Sequence, residues 1–102
     1  SAAKYLKIQV ELDSNNVRLI GGYVNFLVEY TAEYDSALVY SQKALAIAQS
    51  KFGDSHPDVA TSYNNIGAVY KSKGAYDIAL EYHQKALKIR GEMGGGATII
   101  KL

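Results

Sequence analysis

One segment of this chain occurs twice. Residues 34–47, YDSALVYSQKALAI, recur 42 positions later as residues 76–89, YDIALEYHQKALKI, and ten of the fourteen positions are identical. A fixed period in this range is typical of one supersecondary unit that is copied and stacked, because each copy buries an apolar face that it cannot bury alone. The repeat therefore predicts a stack of similar units, and we expect function to lie on the surface that the stack creates.

The composition of the repeated unit favours helix. There is one proline in 102 residues, and alanine, leucine, tyrosine, lysine and glutamine are abundant. Pro57 is predicted to begin a helix, with Ser55 or His56 as its cap, and Gly74 to end it in the left-handed conformation. Asp77 then lies in the first turn of the next helix, where its charge favours the dipole. The fold class is predicted to be all-α, with antiparallel helix pairs.

Five helices are predicted, over residues 3–12, 17–32, 35–51, 57–73 and 76–91, in a repeat domain that covers residues 1–93. The first would be the second helix of a preceding unit, so the chain would hold about two and a half repeats. Residues 94–102, GGGATIIKL, break the pattern and are predicted to be a glycine-rich linker with an apolar tail. This tail is predicted either to be disordered or a non-native addition, or to dock on an apolar surface of this chain or of a neighbour.

Aromatic and small residues fall on helical stripes in the second unit. Tyr63, Ile66, Gly67 and Tyr70 share one face of the first helix. We expect Gly67 to approach Ala79 of the second helix closely, so that a larger residue at position 67 would overpack the pair. The inward stripe of that second helix is predicted to comprise Ala79, Leu80, His83, Ala86 and Leu87.

These residues resemble the tetratricopeptide repeat (TPR), with an aromatic residue, Ile-Gly and Tyr on the first helix, Gly-x-Tyr at the turn and two alanines on the second. The period of 42 residues is similar to the variant found in kinesin light chains. The resemblance covers residues 34–90 and implies a right-handed α-α superhelix. It also implies a non-catalytic protein-interaction scaffold whose concave face binds a partner peptide or helix.

The predicted helix over residues 17–32 departs from the pattern, because Gly21 stands where Tyr63 does. The Gly21-Gly22 pair costs about 1 kcal/mol per residue in helix propensity, so packing must compensate or the helix begins after Gly22. Tyr23, Phe26 and Tyr30 form an aromatic stripe at i, i+3 and i+7. Such a stripe is a peptide-binding pocket, a self-association surface or ordinary packing against the first helix.

The Asn64-Asn65 pair is the main candidate for binding. An amide both donates and accepts hydrogen bonds, so it can bind the backbone of an extended peptide, and the TPR resemblance implies this role for Asn65. Lys71 would attract an acidic ligand. Alternatively both amides are solvated or cap a neighbouring turn. The predicted peptide-binding residues are Asn64, Asn65, Ala68, Lys71, Ser72, Tyr23, Phe26 and Tyr30.

No pattern indicates catalysis, a cofactor or a metal. His56 and His83 lie 27 residues apart outside any HExxH motif, and cysteine is absent. The serines lack a nucleophile-elbow motif, and the triple glycine lacks the Lys-Ser/Thr of a phosphate loop. Glu29 and Glu33 are predicted to be solvated rather than a catalytic pair. We therefore predict a protein that is not an enzyme.

The charge balance bears on partners and location. Eleven basic and ten acidic residues leave a net charge of +1, which does not favour nucleic acid. No apolar run approaches the roughly 18 residues of a membrane span, and the first residues lack a signal-peptide pattern. The cysteine-free composition is consistent with a cytoplasmic location. Because an independent solenoid usually needs about three repeats, the alternative function is a self-associating fragment, a homo-oligomer formed through open repeat ends by dimerisation or domain swapping.

Overall fold

The computed structural model describes residues 2–92, and in that range the chain is helical without any strand. The elements are α1 (Ala2–Leu12), α2 (Val17–Phe26), a π-helical turn (Leu27–Thr31), α3 (Tyr34–Phe52), α4 (Pro57–Lys73) and α5 (Tyr76–Glu92). The predicted all-α fold class is confirmed. The predicted tail, residues 94–102, lies outside the described residues.

The helices pack in chain order. Each contacts the next along the sequence, and α2 also contacts α4, the equivalent helix of the following unit. Two helix pairs, α2 with α3 and α4 with α5, therefore form the two units, and α1 packs on α2 as a half unit. Short connections make successive helices neighbours. The contact between α2 and α4 shows that the first helices of the two units lie side by side.

The helix ends follow from local chemistry. The Asn16 side chain accepts a hydrogen bond from the Leu19 backbone N–H at 3.1 Å and so caps α2. His56 caps α4 in the same way, because its Nδ1 accepts from the Asp58 N–H at 3.0 Å, while Pro57 occupies the first helical position. Gly74 closes α4 with φ at 88°. The expected start and stop of this helix are both found.

The end of the first-unit helix differs from the expectation of one regular α-helix over residues 17–32. After Phe26 the chain forms a π turn, in which hydrogen bonds span five residues rather than four. The carbonyl oxygen of Leu27 accepts from the Ala32 N–H, from the Thr31 hydroxyl at 2.7 Å and from the Glu33 N–H at 3.2 Å. Ala32 then closes the helix in the left-handed conformation, with φ at 55°. The wider turn is thus fixed by three donors that share one acceptor.

Two apolar clusters form the core. The first joins α1, α2 and α3 and also includes Val69 of α4; its buried members are Val10, Ile20, Tyr23, Val24, Leu27, Ala37, Ala44 and Val69. The second lies between α3, α4 and α5 and contains Ala48, Val59, Ala60, Ala86 and Ile89. The small residues of the second cluster let the helices approach closely. A Cβ atom on Gly67 would lie 3.0 Å from two ring atoms of His83 and 3.2 Å from the Ala79 carbonyl oxygen, so the predicted close approach at Gly67 is found.

The prediction of the inward stripe of α5 was wrong at two positions. Leu80 and Leu87 are 57% and 70% exposed, whereas Ala79, Ala86 and Ile89 are buried. The buried stripe is rotated from the predicted one toward the alanines, because Gly67 and the small residues of α4 allow that side of α5 to pack closely against α4. In the part of the chain that the structure describes, no helix covers the side of α5 that carries Leu80 and Leu87.

Candidate binding groove

A cavity of about 500 Å³ lies between the first helices of the two units. One wall comes from α2 and the π turn, the other from α4, and the start of α5 closes one end. The lining residues are Val24, Asn25, Val28 and Glu29 on the first wall, Asn65, Ala68, Val69, Lys71 and Ser72 on α4, and Tyr76 on α5. We call this cavity the groove.

Four of the predicted binding residues lie together in the groove. Asn65, Ala68, Lys71 and Ser72 all line it, at a spacing that places them on one side of α4. Ala68 and Ser72 are small and leave room between the walls. The sequence pattern therefore located the α4 wall of the groove.

Gly21 makes room for the amide of Asn65. A Cβ atom at Gly21 would lie 3.1 Å from Asn65 Nδ2, whereas one at Gly22 would meet nothing within 4 Å. Helix α2 runs through both glycines from Val17 and does not begin after Gly22. The packing that compensates for the poor helix propensity is therefore the close approach of α4, with the Asn65 amide against the α2 backbone.

The two walls carry opposite charges. Glu29 on the π turn and Lys71 on α4 are both exposed, and among the described residues no ion pair joins them to each other. An acidic group and a basic group are thus both free to meet a ligand. The sequence indicated only the basic residue, Lys71, because Glu29 was predicted to be solvated and without a binding role.

Asn64 does not line the groove. With its amide nitrogen facing His83, it donates to Nδ1 at 2.8 Å, and its oxygen accepts from the Arg90 guanidinium at 3.1 and 3.2 Å. Consecutive helical residues point about 100° apart, so Asn64 faces α5 while Asn65 faces α2. The role of Asn64 in this structure is to join α4 to α5.

The aromatic stripe is divided between the core and the surface. Tyr23 is only 6% exposed, and its ring meets that of Tyr40 edge to face, with centroids 5.0 Å apart. Burial raises the pKa of the Tyr23 phenol above its ordinary value, and the nearby Tyr40 adds to this effect. Tyr23 therefore contributes to packing, although its ring partner lies on α3 and not on the first helix, and it is not accessible to a ligand.

Phe26 and Tyr30 remain outside the core but do not line the groove. Their ring centroids are 5.2 Å apart, and Tyr30 is exposed. The π turn begins between these two residues, so the helical spacing that grouped them with Tyr23 no longer holds beyond Phe26. They form a separate aromatic pair on the outside of the first unit.

Sequence reasoning missed the first wall of the groove. Asn25, Val28 and Glu29 fall at i, i+3 and i+4, a spacing that would have grouped them on one helical face. Tyr76 at the end of the groove was not among the predicted binding residues either, and it is 67% exposed.

Metal binding and membrane insertion also bear on the class of site. Within residues 2–92, no group of three or more His, Cys, Asp or Glu side chains is arranged to hold a metal ion. None of the described helices has the length and apolar character needed to cross a membrane.

Comparison with known proteins identifies the class of the fold. A family profile described as tetratricopeptide repeat matches residues 25–92, from the last turn of α2 to the end of α5. The chain therefore belongs to the tetratricopeptide repeat family, whose members generally serve as scaffolds for protein–protein interaction. The kinesin light chain variant remains a resemblance of period and sequence.

One curated relative is a protein named secreted RxLR effector protein RXLR-C07, from Plasmopara halstedii. It is 27% identical to this chain over 81 residues, which cover 79% of the chain and 24% of the relative. The chain thus spans about a quarter of the length of that protein.

Proposed function

We propose that the groove binds a short, extended peptide segment of a protein partner without catalysing a reaction. In this proposal the groove lies on the concave face of a right-handed superhelix, as is usual for the family. The observation that carries the proposal is the convergence of Asn65, Ala68, Lys71 and Ser72 on one cavity of about 500 Å³. Pockets of this size are typical of ligand sites in proteins.

The floor of the groove would bind an apolar side chain of the peptide. Val24 and Val69 are buried, and Val28 and Ala68 are partly exposed to the cavity. Burial of apolar surface stabilises a complex by about 25 cal/mol per Å², so even a valine-sized side chain would contribute. Because Ala68 and Ser72 are small, the peptide backbone can approach α4.

Amides on both walls would bind the peptide backbone. Asn25 projects from α2 and Asn65 from α4, and each offers a donor and an acceptor to a backbone that offers the same. Recognition of this kind is independent of the peptide side chains. Selectivity would then come from the floor and from the charges.

The charges favour a dipolar ligand. Glu29 would attract a basic side chain at the π turn, and Lys71 an acidic side chain or a terminal carboxylate at α4. Both groups are exposed, so salt would weaken their contribution. We therefore expect peptides with one basic and one acidic residue to bind better than purely acidic peptides.

A peptide-display screen tests this function. Peptides selected on the wild-type protein are measured again on the Ala68→Phe variant, whose ring would fill the groove, and we expect at least a tenfold loss of affinity. The matched control is Ala46→Phe at an exposed position of α3, which should bind as the wild type does. Peptides that bind the Ala68→Phe variant with undiminished affinity would refute the groove as the site.

For cellular location we propose the cytoplasm, on the basis of the cysteine-free composition. The relative from Plasmopara halstedii is named as a secreted protein, and that name describes the relative. An antibody raised against this chain, used on cell extract and medium of the source organism, separates the two locations. Detection in the medium alone would contradict the proposal.

A further inference from the structure

The outer face of α5 carries exposed apolar residues. Tyr76, Leu80 and Leu87 are 67%, 57% and 70% exposed, and their spacing of i, i+4 and i+11 places them on one stripe of the helix. We call this stripe the α5 outer face. It lies on a different side of the helix from buried Ala79, Ala86 and Ile89.

The equivalent stripe of the first unit is covered. Tyr34, Leu38 and Leu45 stand 42 positions before the three residues of the α5 outer face. All three are partly buried: Tyr34 and Leu38 pack on the first core cluster and Leu45 on the second, and α4 lies against α3. The α5 outer face therefore carries residues equivalent to those that pack against a neighbouring helix in the first unit. Within the described residues nothing binds it.

The charges along α5 indicate which helix fits. The exposed acidic residues Asp77 and Glu81 lie in its first half, and the exposed basic residues Lys85, Lys88 and Arg90 lie in its second half. A second α5 that runs in the opposite direction would place Leu80 against Leu87 and bring Asp77 near Lys88, twice by symmetry. A parallel neighbour would place like charges together.

We propose that the α5 outer face binds the same face of a second copy of this chain, in antiparallel orientation. Because one patch meets its own copy, the complex is a dimer with two-fold symmetry. Contact between Leu80 of one copy and Leu87 of the other shields both side chains from water. The groove is formed by other residues, apart from Tyr76 at its end, so peptide binding and dimerisation are separable functions.

Residues 93–102 of the same chain are the competing occupant. They contain three consecutive glycines. Glycine disfavours helix, so their sequence is less suited than a second α5 to take the place that α4 takes in the first unit. A second α5 does present a long helix with a matching apolar stripe.

Sedimentation equilibrium of the full chain is the first test. One helix face is smaller than the roughly 800 Å² per partner of a standard interface, so we expect association that depends on concentration. The average mass should rise from 11.1 kDa toward twice that value as the protein concentration increases. A mass of 11.1 kDa at every concentration up to millimolar would overturn the proposal.

Variants locate the interface. Leu80→Ser with Leu87→Ser should abolish association while the helical circular-dichroism signal is retained, because both side chains are exposed. The control is Leu12→Ser on α1, since Leu12 is 77% exposed but lies outside the α5 outer face. Association that survives the double substitution, or that is lost in the Leu12→Ser variant, would place the interface elsewhere and overturn the proposal.

Orientation and the competing segment are tested separately. Asp77→Lys and Lys88→Asp should each weaken association several-fold, and the protein that carries both should recover it. Recovery supports the antiparallel pair, and its failure contradicts it. A chain that ends at Glu92 should associate as the full chain does. Association that appears or strengthens only in that shorter chain would identify residues 93–102 as the occupant, whereas loss of association would make them part of the interface. Either result would overturn the proposal.

Discussion

Ala32 and Gly74 lie 42 residues apart and end the first helices of the two units in the same left-handed region, with φ at 55° and 88°. Glycine adopts this conformation without steric cost, whereas alanine carries a Cβ atom that approaches the following carbonyl oxygen. The first unit thus retains the backbone turn of the second without its glycine. The turn is held there by the donors that converge on the Leu27 carbonyl oxygen.

Ala32→Gly should therefore stabilise the protein. Relief of the left-handed strain is worth about 1 kcal/mol in the free energy of unfolding, although part of it is offset by the greater freedom of glycine in the unfolded chain. Urea denaturation measures the change. The matched variant, Ala46→Gly at an exposed position of α3, should lose about 1 kcal/mol in the free energy of unfolding. If both substitutions destabilise equally, Ala32 is not strained.

Gly67→Ala should destabilise the contact between α4 and α5. Its Cβ atom would come within 3.0 Å of the His83 ring and 3.2 Å of the Ala79 carbonyl oxygen, and such overpacking costs about 1–3 kcal/mol. Gly22→Ala is the control, because its Cβ atom meets nothing within 4 Å. That variant should gain up to about 1 kcal/mol from helix propensity. Thermal denaturation of the two proteins should shift in opposite directions.

Neighbouring asparagines should have different roles. Asn64→Ala leaves His83 and Arg90 without their shared amide, so we expect a loss of about 1–2 kcal/mol in stability. Asn65→Ala should change stability less but weaken binding of peptides selected on the groove. Urea denaturation and a binding titration on both variants make the comparison. Equal effects of the two variants on binding would contradict the division of roles.

Burial of Tyr23 should make stability sensitive to alkaline pH. Its pKa is raised in the folded state, mainly by desolvation, above the value of 10.0 that applies in the unfolded chain. The unfolded chain therefore loses this proton first, and stability falls as the pH rises above about 10. Tyr23→Phe should reduce that slope in urea denaturation between pH 8 and 11. An equal slope in the wild type and the Tyr23→Phe variant would contradict this account.

Helix ends could be predicted from the sequence because the signals that set them are local. Proline at a first helical position, glycine at a last one and a hydrogen-bonding side chain as cap each act within a few residues, as at Pro57, Gly74 and His56. The π turn has no such signal. It depends on which donors reach the Leu27 carbonyl oxygen, and the helical pattern of residues 17–32 does not reveal them.

The candidate site was only partly predictable for a related reason. The helical period correctly grouped Asn65, Ala68 and Ser72, because all three depend on α4 alone. The role of Asn64 depends on which side of α4 contacts α5, and that of Glu29 on how α2 sits beside α4. Likewise, the pattern of α5 predicted an apolar stripe at Leu80 and Leu87, but a stripe contains no information on whether a neighbour covers it.

The contact of Gly21 with Asn65 has a consequence for recognition. Because the amide rests against main chain rather than in open water, its rotamer is restricted before any peptide arrives. Freezing a side chain on association usually costs about 0.5–1.5 kcal/mol, and here folding has already met much of that cost. A missing side chain on one helix thereby preorganises a hydrogen-bonding group on another.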